Sequence, residues 1–237
     1  MRIEVSLLPR DLPADVTDRA VVVFDVLRAT TTMTAALAAG VSEIRVFEDL
    51  DHAASAAKRF NGPKVLCGER QCLPPPGFDL GNSPGRFSCD KHRGATAFMC
   101  TTNGTRALAA VRHAPAVLAG ALVNRTAVAR QLQKLGRDVL LVCAGTDGVI
   151  SLEDAIGAGS VIDALNISRD QLVGDASRLA AASFQAARND LVGALRDAQG
   201  GRNVITAGLP EDIDFAARLD VFDLVGIAGG EPLTVKL

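Results

Sequence analysis

The stretch Arg19 to Leu27, RAVVVFDVL, is followed by ATTTMTAALAAG from Ala29 to Gly40, and this pair of segments decides the fold. The first segment is continuously apolar rather than alternating, as expected of a strand covered on both faces. The second predicts an Ala-rich helix over Thr30 to Gly40, with Gly40 as its C-terminal stop. Outward from this unit the same grammar recurs. Glu43 to Phe47 and Lys64 to Gly68 read as strands, with a helix over Asp49 to Phe60 between them. Further on, Ala95 to Thr101, Pro115 to Val123 and Asp138 to Ala144 read as strands. Helices over Asn103 to His113 and Asn124 to Gly136 separate them. From Ser151 three helices are expected in succession, Ser151 to Leu165, Asp170 to Arg188 and Asp190 to Gln199. Strands over Phe222 to Ile227 and Leu233 to Leu237 close the chain. Repeated β–α units predict a three-layer α/β/α fold with a largely parallel or mixed sheet, a helical C-terminal portion and one domain over 1–237.

Composition narrows the function. The 237 residues are 48% hydrophobic, yet the only aromatic residues are nine Phe. Lys and Arg total 25 against 27 Asp and Glu, a net charge of −2. A nucleic-acid binder carries a basic excess and stacking platforms, so that class is set aside. No apolar run approaches the roughly 18 residues of a membrane span, and no signal peptide is visible. Five cysteines (Cys67, Cys72, Cys89, Cys100 and Cys143), none in a Cys-x-x-Cys pair, suit a reduced, cytoplasmic protein. The expected partner is a small molecule; nothing in the surface pattern forbids a homodimer.

In α/β sheets, ligands gather beyond the carboxyl ends of the strands, and polar clusters fall there repeatedly. Asp25-Val26-Leu27-Arg28-Ala29-Thr30 places an acid, a cation and a hydroxyl at the first strand-to-helix junction. Helix capping alone accounts for the threonines but not for Asp25 and Arg28. Gly68-Glu69-Arg70 follows another strand and opens a Pro-rich loop containing Phe78-Asp79-Leu80-Gly81-Asn82-Ser83-Pro84. Asp79, Asn82 and Ser83 are oxygen donors of the kind Mg²⁺ takes, although a simple turn before proline explains them as well. Thr101-Thr102-Asn103-Gly104 at a helix start forms a phosphate cradle. With Cys100 and Arg106 it also matches Cys-x5-Arg, so a cysteine-dependent phosphatase is a rival reading. A non-catalytic binding protein for a phosphorylated or sulfonated metabolite is another. Ser151-Leu152-Glu153-Asp154 follows a Gly-rich loop; Ser151 and Asp154 have capping-box spacing, which leaves Glu153 unexplained. No GxxxxGK[ST], GxGxxG or GxSxG string occurs, and after the first strand Leu27 stands where the Asp-x-Asp of aspartate-nucleophile phosphatases would have its second Asp.

These strings, together with Asn124 and Cys143-Ala144-Gly145 in the same order, resemble the 2-phosphosulfolactate phosphatase family. The resemblance implies an α/β, Mg²⁺-dependent phosphatase that converts 2-phospho-3-sulfolactate to sulfolactate and phosphate, a step toward coenzyme M in methanogens. On that reading Asp25, Glu69 and Arg28 are the catalytic candidates. Asp25, Asp79 and Glu153 or Asp154 bind Mg²⁺. Thr30, Asn82, Ser83, Thr101, Thr102, Asn103, Gly104 and Asn124 line the substrate site. Arg28 or Arg125 would grip the substrate's sulfonate or carboxylate.

Overall fold

The computed structural model describes residues 1–237. Ten strands form one sheet: β1 (Ile3–Ser6), β2 (Ala20–Phe24), β3 (Glu43–Phe47), β4 (Lys64–Gly68), β5 (Thr96–Cys100), β6 (Ala116–Gly120), β7 (Val139–Cys143), β8 (Leu172–Val173), β9 (Gly226–Gly229) and β10 (Thr234–Lys236). Ten helices accompany them: α1 (Ala29–Ala38), α2 (Leu50–Arg59), α3 (Cys89–His92), α4 (Gly104–Ala110), α5 (Arg125–Leu135), α6 (Leu152–Leu165), α7 (Gly174–Ala187), α8 (Leu191–Asp197), α9 (Gln199–Thr206) and α10 (Pro210–Ala216).

The sheet runs β4-β5-β3-β10-β9-β6-β2-β7-β1-β8. All its pairings are parallel except those made by β9 and β10, which pair with each other and insert antiparallel between β3 and β6. The expected mixed three-layer α/β/α architecture is what the chain adopts.

The all-apolar reading of β2 has a direct structural cause. Val21 and Val23 pack on one face against Met33 and Leu37 of α1 and Leu108 of α4. Val22 and Phe24 pack on the other against Val128 of α5, Ile156 and Val161 of α6 and Phe184 of α7. Each such side chain contributes roughly 1.5–3 kcal/mol by leaving water, so both faces must be apolar. The helix ends also follow local chemistry. Asp49 caps α2 by accepting from the His52 amide at 2.9 Å. The chain leaves α5 through Gly136 in the left-handed region at φ +62°.

Several boundaries depart from the sequence expectation. Asp170 to Arg188 is not one helix: Leu172 and Val173 pair with Ile3 and Glu4 as β8, and α7 begins at Gly174. The four-residue β1, with Glu4 inside it, is too short for periodicity to register. The predicted helix ending at Gln199 stops at Asp197, and α9 begins at once, with Gly200 and Gly201 in its first turn. Helix α10 was not anticipated, and the predicted strand from Phe222 begins only at Gly226. No helix is long and apolar enough to cross a membrane.

Candidate active site

The segments that follow β2, β4 and β5 open onto a common cavity of about 520 Å³. Asp25 follows β2 and is 7% exposed. Its Oδ1 accepts from the Ala29 amide in the first turn of α1 at 3.1 Å, and the Gly104 amide at the start of α4 also favours its charged form. The anion these two helix ends hold is therefore the chain's own carboxylate. Burial nevertheless dominates and, reinforced by the charge of Glu69, pushes Asp25 up to about 6. Such a group can hold or release a proton near neutrality.

Gly104 has to be glycine. A Cβ there would stand 2.6 Å from Asp25 Oδ2 and on top of Ala29 Cβ. Gly104→Ala is accordingly expected to tilt the Asp25 carboxylate and lower turnover by about 10²-fold, the cost of roughly 1 Å of misplacement, measured as kcat on a phosphomonoester.

Glu69 is placed by a second backbone requirement. Gly68 has φ +155°, and any Cβ there would overlap the carbonyl of Cys100. The close approach of β4 to β5 lets Glu69 Oε1 accept from Thr102 N at 2.7 Å, while Oε2 accepts from Cys72 N at 2.9 Å. Glu69 thus ties the Pro-rich loop to the 101–104 turn. The amides of the expected phosphate cradle are engaged from within: Thr101 N on Thr105 Oγ1, Thr102 N on Glu69, and Gly104 N toward Asp25. What that turn offers a ligand is its side chains, with Thr102 and Asn103 in the cavity wall.

The other expected residues divide clearly. Asn82 lines the cavity, is 3% exposed, and keeps an unpartnered Oδ1. The hydroxyl of Thr30 bonds only the backbone of Asp25, and that of Thr101 pairs with Thr105. Asn124 does not reach the cavity. It is fully buried, accepts from Ala121 N, and donates to the carbonyls of Ala119 and Leu224. Asp79 is exposed, outside the cavity, and accepts from Leu66 N at 2.8 Å. Asp154 accepts from Val26 N at 2.9 Å and Gly145 N at 3.0 Å, joining the ends of β2 and β7.

Of the acids expected to bind Mg²⁺, Asp79 stands apart while Asp154 feels the charges of both Glu153 and Asp25, and no group of three or more His, Cys, Asp or Glu forms a ready cage. Glu153 differs from Asp154. It is 1% exposed, its Oε2 has no partner, and it abuts Gly200 in the cavity wall. Burial, with the charge of Asp25 adding to it, pushes Glu153 up to about 7. A buried acid with an orphaned oxygen, close enough to Asp25 to feel its charge, fits a hard cation. Mg²⁺ takes one or two carboxylates and completes its shell with water and substrate phosphate.

The arginines hold a correction. Arg28 is buried and committed: Nη1 donates to Asp212 Oδ2 at 2.6 Å and Ser83 Oγ at 3.2 Å, and Nη2 to the Cys72 carbonyl at 2.5 Å. Asp212, from α10, also accepts from Ser83 Oγ at 2.7 Å. Sequence reading missed Asp212 altogether; no motif surrounds it. Arg125 lies elsewhere, paired with Asp163 at 2.8 Å and Asp220 at 3.1 Å. Cys100 does border the cavity, but burial and the charges of Asp49 and Glu69 push its thiol up to about 11. A thiol protonated at neutral pH is a poor nucleophile, which argues against the Cys-x5-Arg reading.

Comparison with known proteins agrees with the geometry. The profile of the 2-phosphosulpholactate phosphatase family matches residues 6–230. The chain belongs to that family. A relative from Carboxydothermus hydrogenoformans, named "Probable 2-phosphosulfolactate phosphatase", is 40% identical over 95% of this chain and 92% of its own length. A relative of the same name from Gloeobacter violaceus is 39% identical over 93% of this chain and 92% of its own. Family membership makes the chain a phosphoric monoester hydrolase.

Proposed function

We propose that the protein hydrolyses the phosphate monoester of a small 2-phospho acid, (2R)-2-phospho-3-sulfolactate to 3-sulfolactate and phosphate, with Mg²⁺. The reading rests on one arrangement: a carboxylate, Asp25, fixed at the cavity wall by amides from two helices and coupled to the buried Glu153. The relatives' names supply the substrate.

Six carboxylates line the cavity (Asp25, Glu48, Asp49, Asp51, Glu69 and Asp147), against three guanidiniums, one of them neutralised by Asp212. A phosphate dianion is repelled from such a cavity unless a cation accompanies it. Asp25 and Glu153 would hold Mg²⁺, which when bound supplies that positive charge and draws electron density from the ester. The residues do the rest. Thr102 and Asn103 donate to the phosphoryl oxygens, Asn82 offers its free amide group, and Asp25 acts on phosphorus or on the attacking water. The Glu69 carboxylate holds the 102 turn and Cys72 in register around them.

The test is phosphate release from 2-phosphosulfolactate with and without metal. Activity is expected to disappear in EDTA and return with Mg²⁺, and Mg²⁺ alone is expected to raise the melting temperature of the wild type but not of Glu153→Gln. Full activity after exhaustive chelation would contradict the metal, and sensitivity to thiol alkylation in its place would restore Cys100.

A further inference from the structure

Three guanidiniums line the cavity, and they are not equivalent. Arg28 is buried and its Nη groups are committed to Asp212, Ser83 and Cys72. Arg70 directly follows Glu69 at the exit of β4, and Arg106 lies in the first turn of α4. Both are exposed at the cavity mouth, and neither side chain makes an ion pair or hydrogen bond within the chain. Both line the same cavity as Cys100, which marks the locus they border, and the charge of each reaches its thiol. The acids facing that locus are engaged otherwise, Asp49 as the cap of α2 and Glu69 on two amides.

A substrate with phosphate beside Asp25 must still place its remaining anionic groups among the rim acids Glu48, Asp49 and Asp51. We propose that Arg70 and Arg106 form a two-point grip on the substrate's other anionic groups, and select phospho acids bearing both a carboxylate and a second acid such as a sulfonate. This assignment rests on the phosphatase reading and replaces Arg28 and Arg125 in that role. A guanidinium presents a planar fork that matches the oxygens of carboxylate and sulfonate, and two unpaired forks match two such groups. A monoester lacking these groups leaves both arginines unused and gains nothing to offset the rim acids.

The experiment compares Arg70→Gln, Arg106→Gln and the corresponding Lys variants with wild type on two substrates, 2-phosphosulfolactate and p-nitrophenyl phosphate. Each Gln variant is expected to raise the KM ratio of the first substrate to the second by about tenfold, one charged hydrogen-bonded contact, and the double variant by about a hundredfold. The Lys variants, which keep charge but lose the fork, are expected to fall between. Binding of the product 3-sulfolactate, followed by calorimetry, is expected to weaken in the same order. An unchanged ratio, or KM rising in parallel for both substrates, would overturn the grip while leaving the phosphatase intact. A wild-type enzyme that hydrolyses p-nitrophenyl phosphate but not 2-phosphosulfolactate would instead overturn the substrate on which the grip depends.

Discussion

Asp25→Asn is expected to lower phosphate release by at least about 10³-fold while the protein still folds, within the range seen when an acid–base group at a reacting centre is lost. The amide keeps an oxygen for the Ala29 amide, so the turn into α1 survives. What disappears is the titratable carboxylate that both helix ends support. A substrate with a chiral phosphoryl group separates the two roles left to it: net retention at phosphorus means two displacements with attack by Asp25, and net inversion means a single attack by water.

The same substitution has a pH signature in the metal-free protein. Asp25 rises from an ordinary 3.8 to about 6 on folding and Glu153 from 4.5 to about 7, so the folded chain holds protons that the unfolded chain has released. Stability from these two groups is complete below about pH 4 and drains away as pH rises through 6 and 7. The melting temperature of the apo wild type is therefore expected to fall between pH 5 and pH 8, and to fall less in Asp25→Asn. Added Mg²⁺ is expected to recover more stability at pH 8 than at pH 5, because ligation requires the ionised carboxylates.

The second large effect lies outside the chemistry. Asp212→Ala is expected to destabilise the protein by about 3–5 kcal/mol, since it leaves Arg28 with its charge uncompensated at 3% exposure. At about 2–4 °C per kcal/mol for a chain of this size, thermal melting should drop by roughly 10 °C. Pairing the change with Arg28→Met is expected to restore much of that loss, because removing both charges removes the unpaired one. If the single variant melted within a degree or two of wild type, Arg28 would have found water or another acid.

The clusters after β2, β4 and β5 were legible in the sequence because an apolar run ending in polar residues marks a strand end, where α/β folds bind ligands. Glu153 was legible only as an acid that capping did not explain. Whether an acid faces the cavity is set by partners far along the chain. Asp154 is held by Val26, 128 residues away, whereas Asp79 is held by Leu66, thirteen residues away and outside the cavity. Three chemically similar acids thus have three different fates, and the partner each finds decides among them. Asp212 lay beyond reach for the same reason: its partner is 184 residues distant, and the helix carrying it has no motif. Arg28 looked like a substrate grip until that partner was known, and Arg70 and Arg106 gained importance by having none.

The hairpin of β9 and β10 has a consequence for how the protein is made. It fills the gap between β3 and β6, so the sheet is two separate parallel halves until the last dozen residues arrive. Every side chain that lines the cavity precedes that hairpin in the chain. During synthesis both halves wait with an unpaired edge while the seam is still in the ribosome, a state open to mispairing with other chains. The final residues act as a zip: a chain that stopped before Gly226 would carry every active-site side chain on two sheets with no strand pairing between them.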